Sequence, residues 1–299
     1  MINQNETTRA HARILLDSSL KSAYRDNFTR HTQRVLYDVK IIKCGDYLQV
    51  YKFNSEKSKL DKNSWSDDEI PKISIKDVDT EDLSKTNQFK SILLSNAIRS
   101  NLNCQRICKA NREEWETFIT LTFSDNITDL TYANNKFHNW VSNVRKIKND
   151  FKYVAVPEFQ KRGAVHYHIL SNLGISDKEI ILKQKLKTGN AIKCDQLYDV
   201  RYWSYGFARV DFIKNDYKKI YSYICKYMTK DIDDRLFGKK RYFFSQNLNQ
   251  PKEEFLNLSN PRDYDYFMNL IQNKSIEYNN TYKDLISNNN IDFIEYVSS

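Results

Sequence analysis

Apolar and polar side chains alternate along this chain in short runs, broken by a few stretches of helical period. "VKIIKCGDYLQVYKF" (39–53) predicts a hairpin turning at Cys44-Gly45-Asp46. A helix is expected from about Gln88 to Ala110. "FITLTF" (118–123) is β-branched and aromatic, and predicts a strand. Between Leu130 and Lys148 the residues Phe137, Trp140, Val141, Val144 and Ile147 recur at helical spacing. "FKYVAVPEF" (151–159), "AVHYHIL" (164–170) and "GFARVDF" (206–212) read as further strands, and residues 176–188 and 215–232 as helices.

That order, β-α-β-β-α-β followed by a helix, is the ferredoxin-like or split-βαβ order of an α+β fold. Its antiparallel sheet carries helices on one face and leaves the other free. The charge pattern divides the 299 residues further. Residues 1–85 form a basic region followed by an acidic stretch that reads as a linker, 86–235 the central domain, and 236–299 an extension with no clear motif. The apolar stretches are short and interrupted by charge, so no membrane span or secretory signal is expected. Five scattered cysteines do not form a disulfide framework, and a reducing cytoplasm fits.

Charge and aromatic content change the picture. Lys and Arg number 47 against 38 Asp and Glu, for a formal net charge of +9, with 20 Tyr, 16 Phe and 4 Trp. Cations bind backbone phosphates and rings stack on unpaired bases, so this mixture suits nucleic acid. A codon bias toward Lys, Asn, Ile and Tyr accounts for the same composition, so position must decide.

His166 and His168 stand two apart in a strand, so they share a face with Leu170 while Val165, Tyr167 and Ile169 take the other. A three-residue loop Lys161-Arg162-Gly163, with Gly163 left-handed, would close a hairpin with the preceding strand. In that register Glu158 lies directly opposite His166, about 5 Å away at Cβ. A loop of two or four residues would displace the carboxylate. Two imidazoles and a carboxylate on one face suit a divalent cation with open positions. His11, His31 and His138 have no such neighbours and read as surface or packed side chains. Cys104 and Cys108, at i and i+4, read as packing rather than half of a zinc site.

Downstream, "YSYICKYMTK" (221–230) places Tyr223, Lys226, Tyr227 and Lys230 within one arc of a helix. Tyr217, Ile220, Tyr221, Ile224 and Met228 form the neighbouring apolar stripe, so Tyr221 is expected in the core. A phenol is a poor nucleophile at neutral pH unless cations or a metal favour its anion, and Lys226 can supply such a field.

In order, "FITLTF", "PEFQKRGAVHYHIL" and "YICKYMTK" resemble the three motifs of the HUH endonuclease superfamily. The resemblance is in particular to the two-tyrosine rolling-circle replication initiators of small single-stranded DNA phages and plasmids. It covers about residues 88–235, with a weaker echo in "RYFFSQNLNQP" (241–251). It implies a metal-dependent nickase in which His166, His168 and Glu158 hold Mg²⁺ or Mn²⁺. Tyr227, then Tyr223, would attack DNA with Lys226 between them, leaving a 5′-phosphotyrosine and a free 3′-hydroxyl. Lys161, Arg162 and Lys230 are the expected DNA contacts. The implied partners are single-stranded origin DNA, a host DNA polymerase and, since no G-x-x-x-x-G-K-[ST] is present, a host helicase. A transposase or mobilisation relaxase of the same superfamily, and a single-strand binder without catalysis, are the alternatives.

Overall fold

The computed structural model describes residues 34–60, 87–183, 197–213, 221, 224–226, 234–236, 239–283 and 289–298. Along the chain, the described strands are β1 (Arg34–Cys44), β2 (Tyr47–Leu60), β3 (Thr117–Phe123), β4 (Tyr153–Phe159), β5 (Val165–Ser171), β6 (Ile180–Lys183), β7 (Leu197–Val200), β8 (Gly206–Phe212), β9 (Phe243–Phe244), β10 (Lys252–Leu256), β11 (Lys274–Lys283) and β12 (Asn290–Ser298). The longer helices are α1 (Asn87–Ala110), α2 (Leu130–Arg145) and α3 (Pro261–Ile271). The chain is antiparallel α+β throughout and divides into two compact units, with the boundaries between Arg99 and Ser100 and between Asn249 and Gln250. No helix among the described residues is long and apolar enough to cross a membrane.

One unit joins the two ends of the chain. Its sheet has the order β10-β1-β2-β12-β11. β1 and β2 form the expected hairpin, with Gly45 at φ 60 and Cys44 paired with Tyr47. Phe267 of α3 packs with Val39, Ile41, Leu48, Val50, Leu256 and Tyr296 on one face of this sheet. The stretch 236–299, which shows no motif in the sequence, thus supplies three strands and the covering helix.

The other unit holds a sheet of order β6-β7-β8-β3-β5-β4-β9. Its central four strands, β8-β3-β5-β4, stand in the expected split-βαβ arrangement, with every neighbour antiparallel. Asp129 caps α2 by accepting from the Thr131 amide, which satisfies one of the helix's orphan N–H groups. The apolar stripe of α2 (Phe137, Trp140, Val141, Val144) is buried with Ile119, Leu121, Tyr153, Ala155, Tyr167 and Ile169. Phe137 stacks on Tyr167 at 4.7 Å between centroids, and the Tyr167 hydroxyl donates to Asn134 Oδ1 at 2.7 Å. One face of the sheet is thereby closed.

The helix expected over 176–188 is not formed in its described part. Asp177 makes a tight turn, accepting from the Gly174 amide at 2.7 Å, and Ile180–Lys183 then pair with β7 as a strand. The β-branched run Ile180-Ile181 fits a pleated edge better than a helix, and long-range pairing overrides the local helical period. Residues 184–188 lie outside the described part, as does most of the expected helix 215–232, of which Tyr221 and Ile224–Lys226 are described and helical.

Gly206 begins β8 against the central strand. A Cβ there would meet the Thr122 carbonyl oxygen and the Ser124 amide nitrogen, and would come within 2.7 Å of the Phe123 carbonyl carbon. Since all three are backbone, Gly206→Ala should destabilise the protein by about 1–3 kcal/mol. Urea unfolding checks it, an unchanged midpoint being the contrary result.

Candidate metal centre on the open sheet face

The geometry starts from the loop between β4 and β5. Gln160 donates its amide to the Ala164 carbonyl at 2.8 Å, and Gly163 donates to the Gln160 carbonyl at 2.7 Å. Lys161, Arg162 and Gly163 are therefore the loop, with Gly163 at φ 87, a left-handed conformation that only glycine adopts cheaply. The register follows: Glu158 is paired with His166 and Val156 with His168. Across β5 the rows continue through β3 into β8, His166 to Thr122 to Phe207 and His168 to Thr120 to Arg209. These side chains share the face opposite α2.

The donors are nearly buried, His166 at 7% and His168 at 6% exposure. His168 Nε2 donates to Glu158 Oε2 at 2.8 Å, while its Nδ1 lies 3.3 Å from the Thr120 hydroxyl. Phe118 stacks against the same ring at 5.8 Å. His166 Nδ1 lies 3.4 Å from the Thr122 hydroxyl and 3.2 Å from the Gln160 amide nitrogen. Gln160 is itself held by the Arg162 guanidinium, which donates to its Oε1 at 3.2 Å. His166 Nε2 is buried without a hydrogen-bond partner. With Thr122 taking the Nδ1 proton, that nitrogen presents a lone pair.

Burial pushes the His166 imidazole down to about 4, helped by the charge of His168 and Arg162 and opposed by Glu158. The ring is neutral at physiological pH, as a metal ligand must be. This donor set, two imidazoles with hydroxyl partners at Nδ1 and one carboxylate, fits a divalent cation. Among the described residues, however, no three His, Cys, Asp or Glu side chains already converge on one point. Glu158 instead closes on His168 and leaves His166 Nε2 outside that contact.

Other expected site residues fall as follows. Lys161 and Arg162 occupy the exposed loop tip beside Gln160. Lys226 is exposed. Tyr223, Tyr227 and Lys230 lie outside the described residues. Tyr221 and Ile224 are buried, at 3% and 0% exposure, on the phase expected of the apolar stripe. The segment that carries them is held to α1: Asn101 Nδ2 donates to the Cys225 carbonyl at 2.8 Å, and Gln105 Nε2 orients Asn101 by donating to its Oδ1 at 2.6 Å. Cys104 and Cys108 are packed, and Cys225 joins them so that the Cys104 thiol bonds both. Burial pushes the Cys108 and Cys225 thiols up.

Sequence reasoning took "FITLTF" as a structural strand and so missed Thr120 and Thr122 as hydroxyl partners of the histidines. Their signal is the strand's own alternation, in which the two polar residues fall on the face that α2 does not cover. Arg209, ion-paired to Asp211 at 2.9 Å, and Phe207, 66% exposed, extend the same face.

Residues 116–232 match the family model of the replication-associated proteins ORF2 and gene 2 protein. The chain is also similar to the Phasyl DNA replicon protein arp of Escherichia coli, 30% identical over 131 residues. That alignment takes in 40% of this chain and 44% of the relative's length. No solved structure matches it significantly.

A histidine held below its usual value makes stability pH-dependent. The folded form resists protonating His166, whereas the unfolded chain takes up that proton near pH 6.5, so stability is lost as pH falls from about 6.5 toward 4. In chelator-treated protein this loss should reach on the order of 1–3 kcal/mol, and His166→Gln should flatten it. Denaturant midpoints at pH 7.5 and 4.5 decide the matter; parallel slopes in both proteins would refute the burial argument.

Proposed function

We propose that the protein is a replication initiator that nicks one DNA strand and later rejoins it. One coincidence carries the reading. The stretch similar to the replication-associated family contains both the hairpin that groups Glu158, His166 and His168 and the segment in which Tyr223 and Tyr227 flank Lys226. The similar Escherichia coli protein is named a replicon protein, which points the same way.

When bound, Mg²⁺ or Mn²⁺ supplies a Lewis acid for the non-bridging oxygens of the scissile phosphate. His166, His168 and Glu158 are the residues that would hold it. Thr120 and Thr122 fix the imidazole orientation, and the Gln160–Arg162 pair keeps a cation beside the site. The Tyr227 hydroxyl attacks phosphorus; a new P–O bond forms as the bond to the 3′ oxygen of the preceding nucleotide breaks, and that oxygen takes up a proton. Lys226 favours the phenolate and the phosphate by its charge. The phosphotyrosine keeps the energy of the broken diester, so attack by Tyr223 on a second phosphate, followed by the returning 3′-hydroxyl, closes the displaced strand without water.

End-labelled single strands from the replicon's own origin, incubated with Mn²⁺ or Mg²⁺, test this. A covalent DNA adduct should appear by denaturing gel and map by mass spectrometry to Tyr227, and Tyr227→Phe should remove it. His166→Ala and His168→Ala should each slow cleavage by about 100-fold or more, since the metal contributes several kcal/mol to such a transition state. Strand binding with no covalent product would instead favour the non-catalytic binder, and cleavage unaffected by chelation would remove the metal from the scheme.

A further inference from the structure

The sheet of the terminal unit carries a second surface of a different kind. On the face opposite Phe267, one row of directly paired residues crosses all five strands: Phe255 on β10, Lys40 on β1, Tyr51 on β2, Phe293 on β12 and Asn280 on β11. At the usual strand spacing the row is about 20 Å long. Lys40, Tyr51, Phe255 and Phe293 are half-exposed and Asn280 exposed. Tyr51 and Phe293 lie 4.9 Å apart, and Tyr278 and Tyr282 flank Phe293 at 6.0 and 6.3 Å. At the other end Tyr37 meets Phe255 at 4.8 Å and Phe53 at 5.7 Å.

The cations sit on those rings. Lys59 Nζ lies 3.5 Å from the Phe255 centroid, Lys40 Nζ 5.6 Å from the same ring, and Lys57 Nζ 5.8 Å from that of Phe53. Glu253 also pairs with Lys40 at 2.8 Å, and at 45% exposure it is a solvated partner that a phosphate can replace. A core would not place lysines across its rings, and an ordinary solvated strand face would not line up so many aromatics.

We propose that this row is a docking surface for an unpaired nucleic-acid strand, with bases stacking on Tyr51, Phe293 and Phe255 and phosphates taken by Lys40, Lys57 and Lys59. Rings accept the flat faces of bases without regard to sequence, and mobile ammonium groups follow a backbone. A duplex hides its base faces and gains only the charge. The surface belongs to the terminal unit and does not rest on the strand-cleavage reading.

The test uses the full chain in chelator, so that cleavage is silent, and fluorescence anisotropy with a labelled 20-nucleotide strand, its RNA counterpart and the blunt DNA duplex. Tyr51→Leu with Phe293→Leu keeps apolar bulk while removing the π faces, and urea unfolding confirms that the variant folds. It should bind the DNA single strand at least 10-fold more weakly while its duplex affinity changes less than 2-fold. Lys40→Gln with Lys57→Gln should lower the slope of log affinity against log salt by about 1–2. If RNA rather than DNA loses the 10-fold, the same surface takes RNA. Single-strand affinities of the leucine variant within 2-fold of the parent for both polymers overturn the proposal, as do 5-iodouracil photocrosslinks confined to residues 100–249.

Discussion

Everything chemical on the central sheet depends on the register of one hairpin. The Gly163 turn fixes which residue of β4 meets which residue of β5, and the period of a strand is two, so a slip of one residue would turn the histidines into the core. The opposite face guards against that slip. Tyr167, fully buried between the histidines in sequence, stacks on Phe137 and bonds Asn134, and burial pushes its phenol well above the ordinary value. Moving it outward would open a large cavity under α2 and leave Phe137 without its partner. Packing on one side thus sets coordination chemistry on the other.

The open face is less a finished coordination sphere than a set of donors held at low cost in charge. His166 is neutral because it is buried, not because a neighbour has taken its proton. Glu158 finds its contact in the other imidazole. A carboxylate and two nearly buried rings, next to an arginine-backed glutamine, leave local charge that a dication offsets better than a proton does. The hydroxyls of Thr120 and Thr122 come from the central strand, whose backbone is paired on both sides, and so they are among the least movable groups available.

How much of this was legible varied with the range of the interactions involved. The loop length, the left-handed Gly163 and the opposition of Glu158 to His166 could be read from eleven consecutive residues, because a tight hairpin is decided by local turn chemistry. So could the α2 stripe and the burial of Tyr221. The segment 176–188 could not, since Ile180-Ile181-Leu182 satisfies a short helical period equally well and its strand partner, 197–200, comes after an intervening loop. Nor could 236–299, whose strands find partners about two hundred residues earlier: Lys40 opposes Phe255 and Val50 opposes Ile294. Its alternation is weak because β11 is exposed along most of its length, and a strand with one wet face and no buried one carries little period.

Both units solve the same problem in the same way. An antiparallel sheet needs only one face covered, and a single helix does it in each case, α2 over Ile119, Leu121, Tyr167 and Ile169, and α3 over Val39, Ile41 and Val50. Residue alternation then frees half of every strand from packing, and the freed halves differ in kind. On the central sheet they are short, hydrogen-bonded and nearly buried, which suits fixed donors; on the terminal sheet they are long, half-exposed and aromatic or cationic, which suits a ligand without fixed register. The first needs an exact turn and tolerates no slip, whereas the second is a row that adjacent residues can extend in either direction. That difference explains why the hairpin at Gly163 is tight and the β1–β2 pairing can carry an irregularity between Tyr37 and Val39: a bulge beside a stacking surface re-aims a ring, but a bulge beside His166 would dismantle the donor set.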